Sequence, residues 1–134
     1  MNRTVVGSGG PWEARYGYSR AVRVGDQVVV SGTTSTTPDG TVQGAGDAFA
    51  QTMLALATIG KALEDAGASL ADVVRTRMYV VDRADMDAVG RAHAEVFGAI
   101  RPAATMVLVA GLIHPDHRVE IEVEAVAEAS ANDA

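Results

Sequence analysis

The stretch that most constrains this chain lies near its end. Between residues 119 and 127, Val119, Ile121, Val123 and Ala125 alternate with Glu120, Glu122 and Glu124. Successive side chains of a β-strand point to opposite faces, so the run is a strand with one aliphatic face and one acidic face. The sheet that holds it has one side for a core and one side that this core leaves uncovered. Residues 73–81 predict a second strand of the same kind. Val74, Thr76, Met78 and Val80 share its aliphatic face, and Arg75, Arg77 and Tyr79 share the other. Periodicity alone accounts for a charged face of this sort first by solvent exposure; the alternative is arginines and glutamates paired across strands inside a subunit interface.

The remaining elements follow from periodicity and punctuation. Two short β-branched runs, 21–24 and 27–32, flank Gly25-Asp26 and predict a hairpin. Residues 33–46 read as a loop turning at Pro38-Asp39-Gly40. Asp47 is a helix N-cap candidate, and Phe49, Met53, Leu56, Ile59 and Leu63 then trace one apolar stripe up to the C-cap glycine Gly67. After cap chemistry at 82–85, Met86, Val89, His93, Val96 and Phe97 trace a second helix, which Arg101-Pro102 ends. Residues 104–110 are another β-rich run, and 112–117 form a loop around Pro115. Residues 1–15 are Gly-rich without periodicity and read as an irregular arm, and residues 128–134 read as a frayed end. The order β-β-α-β-α-β-β predicts one α+β domain over 1–134, a two-layer sandwich of two helices on a mixed sheet of about five strands.

Composition then excludes several functions. The chain has 134 residues and no cysteine, which removes disulfides, thiolate metal sites and cysteine nucleophiles. No stretch is long and apolar enough to span a membrane, and the start lacks the apolar core of a signal peptide. The expectation is a cytoplasmic protein with no membrane partner. The net charge is −6, which opposes the counterion release that drives nucleic-acid binding, and basic residues do not interleave with aromatics as single-stranded binding requires. No nucleic-acid partner is expected. Lys61, the sole lysine, lies within helical periodicity as a solvated position, not as a Schiff-base nucleophile.

Local catalytic motifs are scarce. Gly7-Ser8-Gly9-Gly10 has no strand before it and no helix after it, so it is not a phosphate cradle. Ser31 follows a strand but has no His-plus-acid partner that can be placed. In His114-Pro115-Asp116-His117 two histidines stand three apart with no further ligand of known position, so no metal site is expected. No cofactor is expected either.

Several segments together resemble the Rid (YjgF) family, also called endoribonuclease L-PSP. They are Tyr18-Ser19-Arg20-Ala21-Val22-Arg23-Val24-Gly25 with Val30-Ser31-Gly32, then Leu63-Glu64-Asp65-Ala66-Gly67-Ala68, Asp72-Val73-Val74-Arg75, Arg101-Pro102-Ala103-Ala104-Thr105, and the final strand. The resemblance runs from about residue 18 to residue 127, in register with the elements above. It implies a chorismate-mutase-like subunit in a homotrimer, with the sheets forming a central barrel and small-molecule clefts between subunits. The well-known branch hydrolyses enamines and imines to 2-keto acids and ammonia without a cofactor.

Residue by residue, the resemblance makes Tyr18 the cleft tyrosine, Gly32 the strand-end glycine whose backbone lines the cleft with Thr33 beside it, and Glu122 the glutamate that positions water. Ala104, followed by Thr105 and Met106, stands where deaminating members carry an arginine that clamps the substrate carboxylate. Gly90 stands where they carry an asparagine, and the loop 113–118 is longer than theirs. Arg20, Arg91 and Arg101 are candidate replacement anchors, each with a surface or subunit salt bridge as its alternative. Two functions are expected on this basis. One is a cofactor-free hydrolase of an imine, enamine or related carbonyl metabolite other than 2-iminobutanoate, with Tyr18 and Glu122 catalytic. The other is a trimer that binds or senses a metabolite without chemistry.

Overall fold

The computed structural model of the chain describes residues 2–127; the frayed end expected at 128–134 lies outside them. Six strands form one sheet: β1 (Arg3–Val6), β2 (Ala21–Val24), β3 (Gln27–Thr33), β4 (Val73–Val80), β5 (Ala103–Leu108) and β6 (Val119–Val126), in the order β1-β2-β3-β6-β4-β5. All neighbours are antiparallel except β4 and β5. That parallel pair is joined through helix α3 (Met86–Phe97), as a parallel connection requires. Helix α2 (Ala48–Asp65) packs on β3 and β6 and against α3. This is the expected α+β layering of helices on one face of a mixed sheet.

The arm is not irregular. Residues 3–6 pair with β2 as an edge strand, and a third helix, α1 (Pro11–Tyr16), follows. Neither shows in the sequence pattern. β1 is four residues long and gains its ladder only from β2, and α1 is shorter than any helix that is stable by its own propensity. Pro11 at its first turn and Gly17 in the left-handed conformation (φ 77°) bound it instead.

The core lies between the sheet and α2 and α3. Val28, Val30, Val80, Val119, Ile121 and Val123 rise from the strands to meet Leu56, Ile59, Leu63, Val89 and Phe97, all essentially inaccessible. Each such side chain contributes about 1.5–3 kcal/mol relative to exposure. Asp47 caps α2, accepting from the Ala50 N–H at 3.0 Å, and Gly67 (φ 80°) closes it with a bond from the Ala68 N–H to the Leu63 carbonyl. Two side chains of the predicted stripe, Phe49 and Met53, are only half-buried. The helix lies on its small residues, with Ala48, Ala55 and Ala62 in the core beside a fully buried Gln51.

In β4 the expected faces hold from Thr76 to Val80, but Val74 is a correction. A register shift against β6 lies between Val73 and Arg75; it turns Val73 into the core and leaves Val74 exposed. β5 is shorter than the run expected at 104–110 and is the bare edge of the sheet, with Val107 39% and Leu108 44% exposed.

Candidate functional site

The site begins at the end of β3. The bulge between Val30 and Thr33 breaks the ladder with β6, so Thr33 turns inward and is buried, its hydroxyl donating to the Ser31 carbonyl at 2.8 Å. Thr33 therefore stays in the wall of the site while its hydroxyl serves the strand. Two bonds hold the segment before β2 alongside: the Ser31 N–H donates to the Arg20 carbonyl at 3.0 Å, and the Ser31 hydroxyl to the Ser19 carbonyl at 2.7 Å. Tyr18, Arg20 and Gly32 are thereby brought together. A guanidinium nitrogen of Arg20 donates to the Gly32 carbonyl at 2.5 Å, and the guanidinium lies 5.9 Å from the centre of the Tyr18 ring.

These three residues and Thr33 line a groove of about 980 Å³ whose other walls are α1, the loop after β3 and the loop before β6. From β6, Glu120 projects into it and packs against Gly32, where no other residue type leaves room for the carboxylate. Burial pushes the Glu120 carboxyl above its ordinary value; the Arg20 guanidinium opposes this and Glu122 reinforces it. His117 is buried in the wall, its Nε2 2.7 Å from the Thr36 hydroxyl, and burial, with His114 nearby, holds its pKa below the ordinary imidazole value. Two buried side-chain nitrogens lack a hydrogen-bond partner among the described residues, Arg20 Nε and His117 Nδ1, and both belong to groove residues.

Glu122 lies outside the groove wall, one step further along the same face of β6. It accepts a hydrogen bond from the Tyr79 hydroxyl and has an Arg77 guanidinium nitrogen at 3.8 Å, while the same arginine meets Glu124 at 3.1 Å. The charged face expected from alternation is thus a cross-strand network between β4 and β6, about a third exposed.

The segment 104–106 sits elsewhere. Its partners across β5 and β4 are Thr76 for Ala104, Arg77 for Thr105 and Met78 for Met106. Ala104 and Met106 therefore point toward the helix side and Thr105 toward the charged side. Met106 packs near Gly90 of α3, and the Thr76 hydroxyl is 2.8 Å from His93 Nε2. Of the three arginines singled out as anchors, only Arg20 lines the groove. Arg91 pairs with Asp87 at 2.9 Å on the exposed side of α3 and lies over Phe49, 5.8 Å away. Arg101 is exposed after α3, with a left-handed φ of 59° that no other described non-glycine residue adopts.

In His114-Pro115-Asp116-His117 the two imidazoles have separate duties. His117 serves Thr36, and His114 Nδ1 accepts from the Asp116 N–H at 3.0 Å. No group of three metal-ligating side chains forms among the described residues, and none of their helices is long and apolar enough to cross a membrane. Glu120, Trp12 and Tyr16 are groove residues that the sequence did not single out; the alternation of β6 was the one available signal, and only for Glu120.

A family model described as Endoribonuclease L-PSP matches residues 11–127. A crystal structure of a YjgF/YER057c/UK114 family member from Mycobacterium tuberculosis superimposes with a TM-score of 0.84 at 51% identity, covering 94% of this chain and 100% of that one. The chain belongs to the Rid/YjgF family. Within the family it is 43% identical, over 90% of its length and 89% of the relative's, to an uncharacterized protein of Streptomyces coelicolor. It is 39% identical, over 78% and 82%, to the 3-aminoacrylate deaminase RutC of Acinetobacter baylyi. In this Rid-family chain the residues marked by the family motifs fall into two groups. Tyr18 and Gly32 lie at the β3 end, and Ala104 to Met106 lie on the β5 edge. With β6 and β4 between them, the two groups stand about 14 Å apart at ordinary strand spacing.

Proposed function

We propose that this protein hydrolyses a small imine, enamine or related carbonyl derivative in clefts between the subunits of a homotrimer, and that 2-iminobutanoate is not its ordinary substrate. The observation that carries this reading is the separation of the two groups of motif residues. One subunit keeps Tyr18 and Gly32 three strands away from Ala104, Thr105 and Met106, so a complete site needs the β5 edge of a neighbour. The bare apolar edge of β5 and the charged face around Arg77 and Glu122 are surfaces that such an assembly would cover. The likeness to a 3-aminoacrylate deaminase supports enamine or imine chemistry. Ala104 supports a substrate without the usual carboxylate clamp, a loss on the order of 1.5–3 kcal/mol for an anionic ligand.

In this reading Tyr18 orients the substrate and the Gly32 backbone binds a polar atom. Glu122, steadied by Tyr79, takes a proton from water as the water oxygen bonds to the imine carbon and the C=N electron pair moves to nitrogen. The glutamic acid returns that proton to the nitrogen, giving a neutral aminoalcohol; Glu122 then takes the hydroxyl proton as the carbonyl re-forms and the C–N bond breaks, and passes it to the departing nitrogen, which leaves as ammonia. No cofactor enters this sequence. A second reading, a trimer that binds a metabolite without turnover, is favoured by the same Ala104.

The test measures ammonia release from freshly generated 3-aminoacrylate, 2-iminopropanoate and 2-iminobutanoate, together with sedimentation to count subunits. Turnover that falls by two orders of magnitude or more in Glu122→Gln supports the hydrolase. Turnover untouched by Glu122→Gln removes Glu122 from the chemistry. An inert wild type that gains 2-iminobutanoate hydrolysis in Ala104→Arg supports the binding reading, with an intact cleft lacking its clamp.

A further inference from the structure

The groove is larger than the chemistry of its inner end requires. In the single subunit it is an open groove of about 980 Å³, before a neighbour's β5 edge takes its share, and a four-carbon imine fills a small part of it. The inner end is polar, with Arg20, Glu120 and His117. The outer end is apolar and aromatic, with Trp12 and Tyr16 from α1 and Leu112 and Ile113 from the loop before β6.

That outer wall has no role in the core. α1 buries none of its residues. Trp12 is 43% exposed, Tyr16 64% and Ile113 83%. The two rings nonetheless stack on each other at 5.4 Å with planes 9° apart, and the Arg15 guanidinium lies 5.8 Å from each. Flat aromatic surface held in one orientation beside a polar pocket favours the face or edge of another planar ring.

We propose that the groove selects a substrate with an arylalkyl side chain, which lies against Trp12 and Tyr16 while the imine or enamine end reaches past Gly32 toward Glu122, which follows on β6 just beyond the groove wall. The reacting end of this assignment rests on the hydrolase reading; the seat for the tail does not. A neutral head suits the pocket, because Glu13 and Glu120 stand in the groove wall as well as Arg20.

Trp12 is the sole tryptophan of the chain, so its emission reports on this wall directly. The experiment titrates the full-length protein with 3-phenylpropanamide and with butanamide, two unreactive planar-headed probes that differ in the ring. The phenyl probe is expected to shift Trp12 emission and to bind at least about tenfold more tightly, as the burial of a ring predicts. Tyr16→Ala, at an exposed position, should remove most of that preference without lowering the unfolding midpoint. Calorimetric titration of Trp12→Ala, which needs no emission, should show the same loss. Equal affinities for the two probes, no response to either, or a preference that survives both substitutions would overturn the assignment. Ammonia release is measured separately. Selective phenyl binding in a protein that turns over no imine would sink the hydrolase reading and leave the aromatic seat standing.

Discussion

The Glu120 carboxylate occupies the space that a side chain at Gly32 would need: a Cβ on residue 32 would overlap it and come within 3.0 Å of the Glu120 Cδ. Gly32 is required here for room, since its backbone does not adopt a left-handed φ. A methyl group at this position must displace the carboxylate, which a flexible glutamate can do. Gly32→Ala should therefore cost little stability, within about 1 kcal/mol, yet weaken 3-phenylpropanamide binding severalfold by moving Glu120 across the groove. Combining it with Glu120→Ala should recover the binding lost to the clash, and a double-mutant cycle reads this as coupling between the two positions. Additive effects would show that Glu120 does not rest on Gly32 in solution.

Gln51 offers a test of what fixes the groove walls. Fully buried in α2, its amide donates to the Gly44 carbonyl at 3.2 Å and to the Asp116 carbonyl at 2.8 Å, and its oxygen accepts from the Arg118 N–H at 2.8 Å. One side chain thus ties the loop after β3 to the loop before β6. Gln51→Leu keeps the volume roughly constant and strands two backbone groups, the Asp116 carbonyl and the Arg118 N–H, while the Gly44 carbonyl keeps the Asp47 N–H, so it should destabilise by on the order of 3 kcal/mol in urea unfolding. A loss under 1 kcal/mol would mean that water or a shifted loop satisfies those groups.

How much of this was legible in the sequence differs from element to element. The glutamate alternation of β6, the Asp47 cap and the Gly67 terminus were readable because each depends on local chemistry alone. Val74 was misplaced because Val73 and Val74 are equally suited to either face, and only the register against β6 decides between them. β1 and α1 were missed because neither is stable without tertiary partners. Tyr18 and Gly32 were named from the resemblance, yet their meeting with Arg20 depends on a bulge that periodicity does not announce. Gln51 was invisible for a related reason. A lone glutamine beside an apolar stripe reads as solvated until two distant loops supply its partners.

Arg101 carries a conformational cost that can be recovered. Its φ of 59° places an L side chain in the left-handed region at the end of α3, where its N–H bonds the Phe97 carbonyl at 2.8 Å. Glycine is the natural residue for such a helix terminus. Arg101→Gly should raise stability by about 1 kcal/mol, seen as a higher urea midpoint. Because Arg101 lies outside the groove wall, binding of 3-phenylpropanamide should be unchanged. A variant that gains stability but loses ligand would return Arg101 to the list of anchors, with its strain serving the site.

The pH dependence of stability should carry the mark of His117. Burial lowers its folded pKa below the ordinary 6.5, and burial does the same for His93. In the window between the folded and unfolded values the unfolded chain binds more protons, so stability rises with pH there. The contribution is complete above about pH 6.5 and is lost as pH falls through the folded pKa. Glu120 acts with the opposite sign. Its folded pKa is raised from 4.5, so its contribution is present at low pH and is lost as pH rises through the folded value. The Glu120 effect sets in above about pH 4.5 and the histidine effect below about pH 6.5, with opposite signs, so the informative comparison is between variants. His117→Gln, which keeps a polar partner for Thr36, should flatten the fall in urea midpoint on acidification while leaving the share of His93, and Glu120→Gln should steepen it. A slope unaltered by His117→Gln would mean that His117 meets water in solution and that the groove wall between Thr36 and His114 is open.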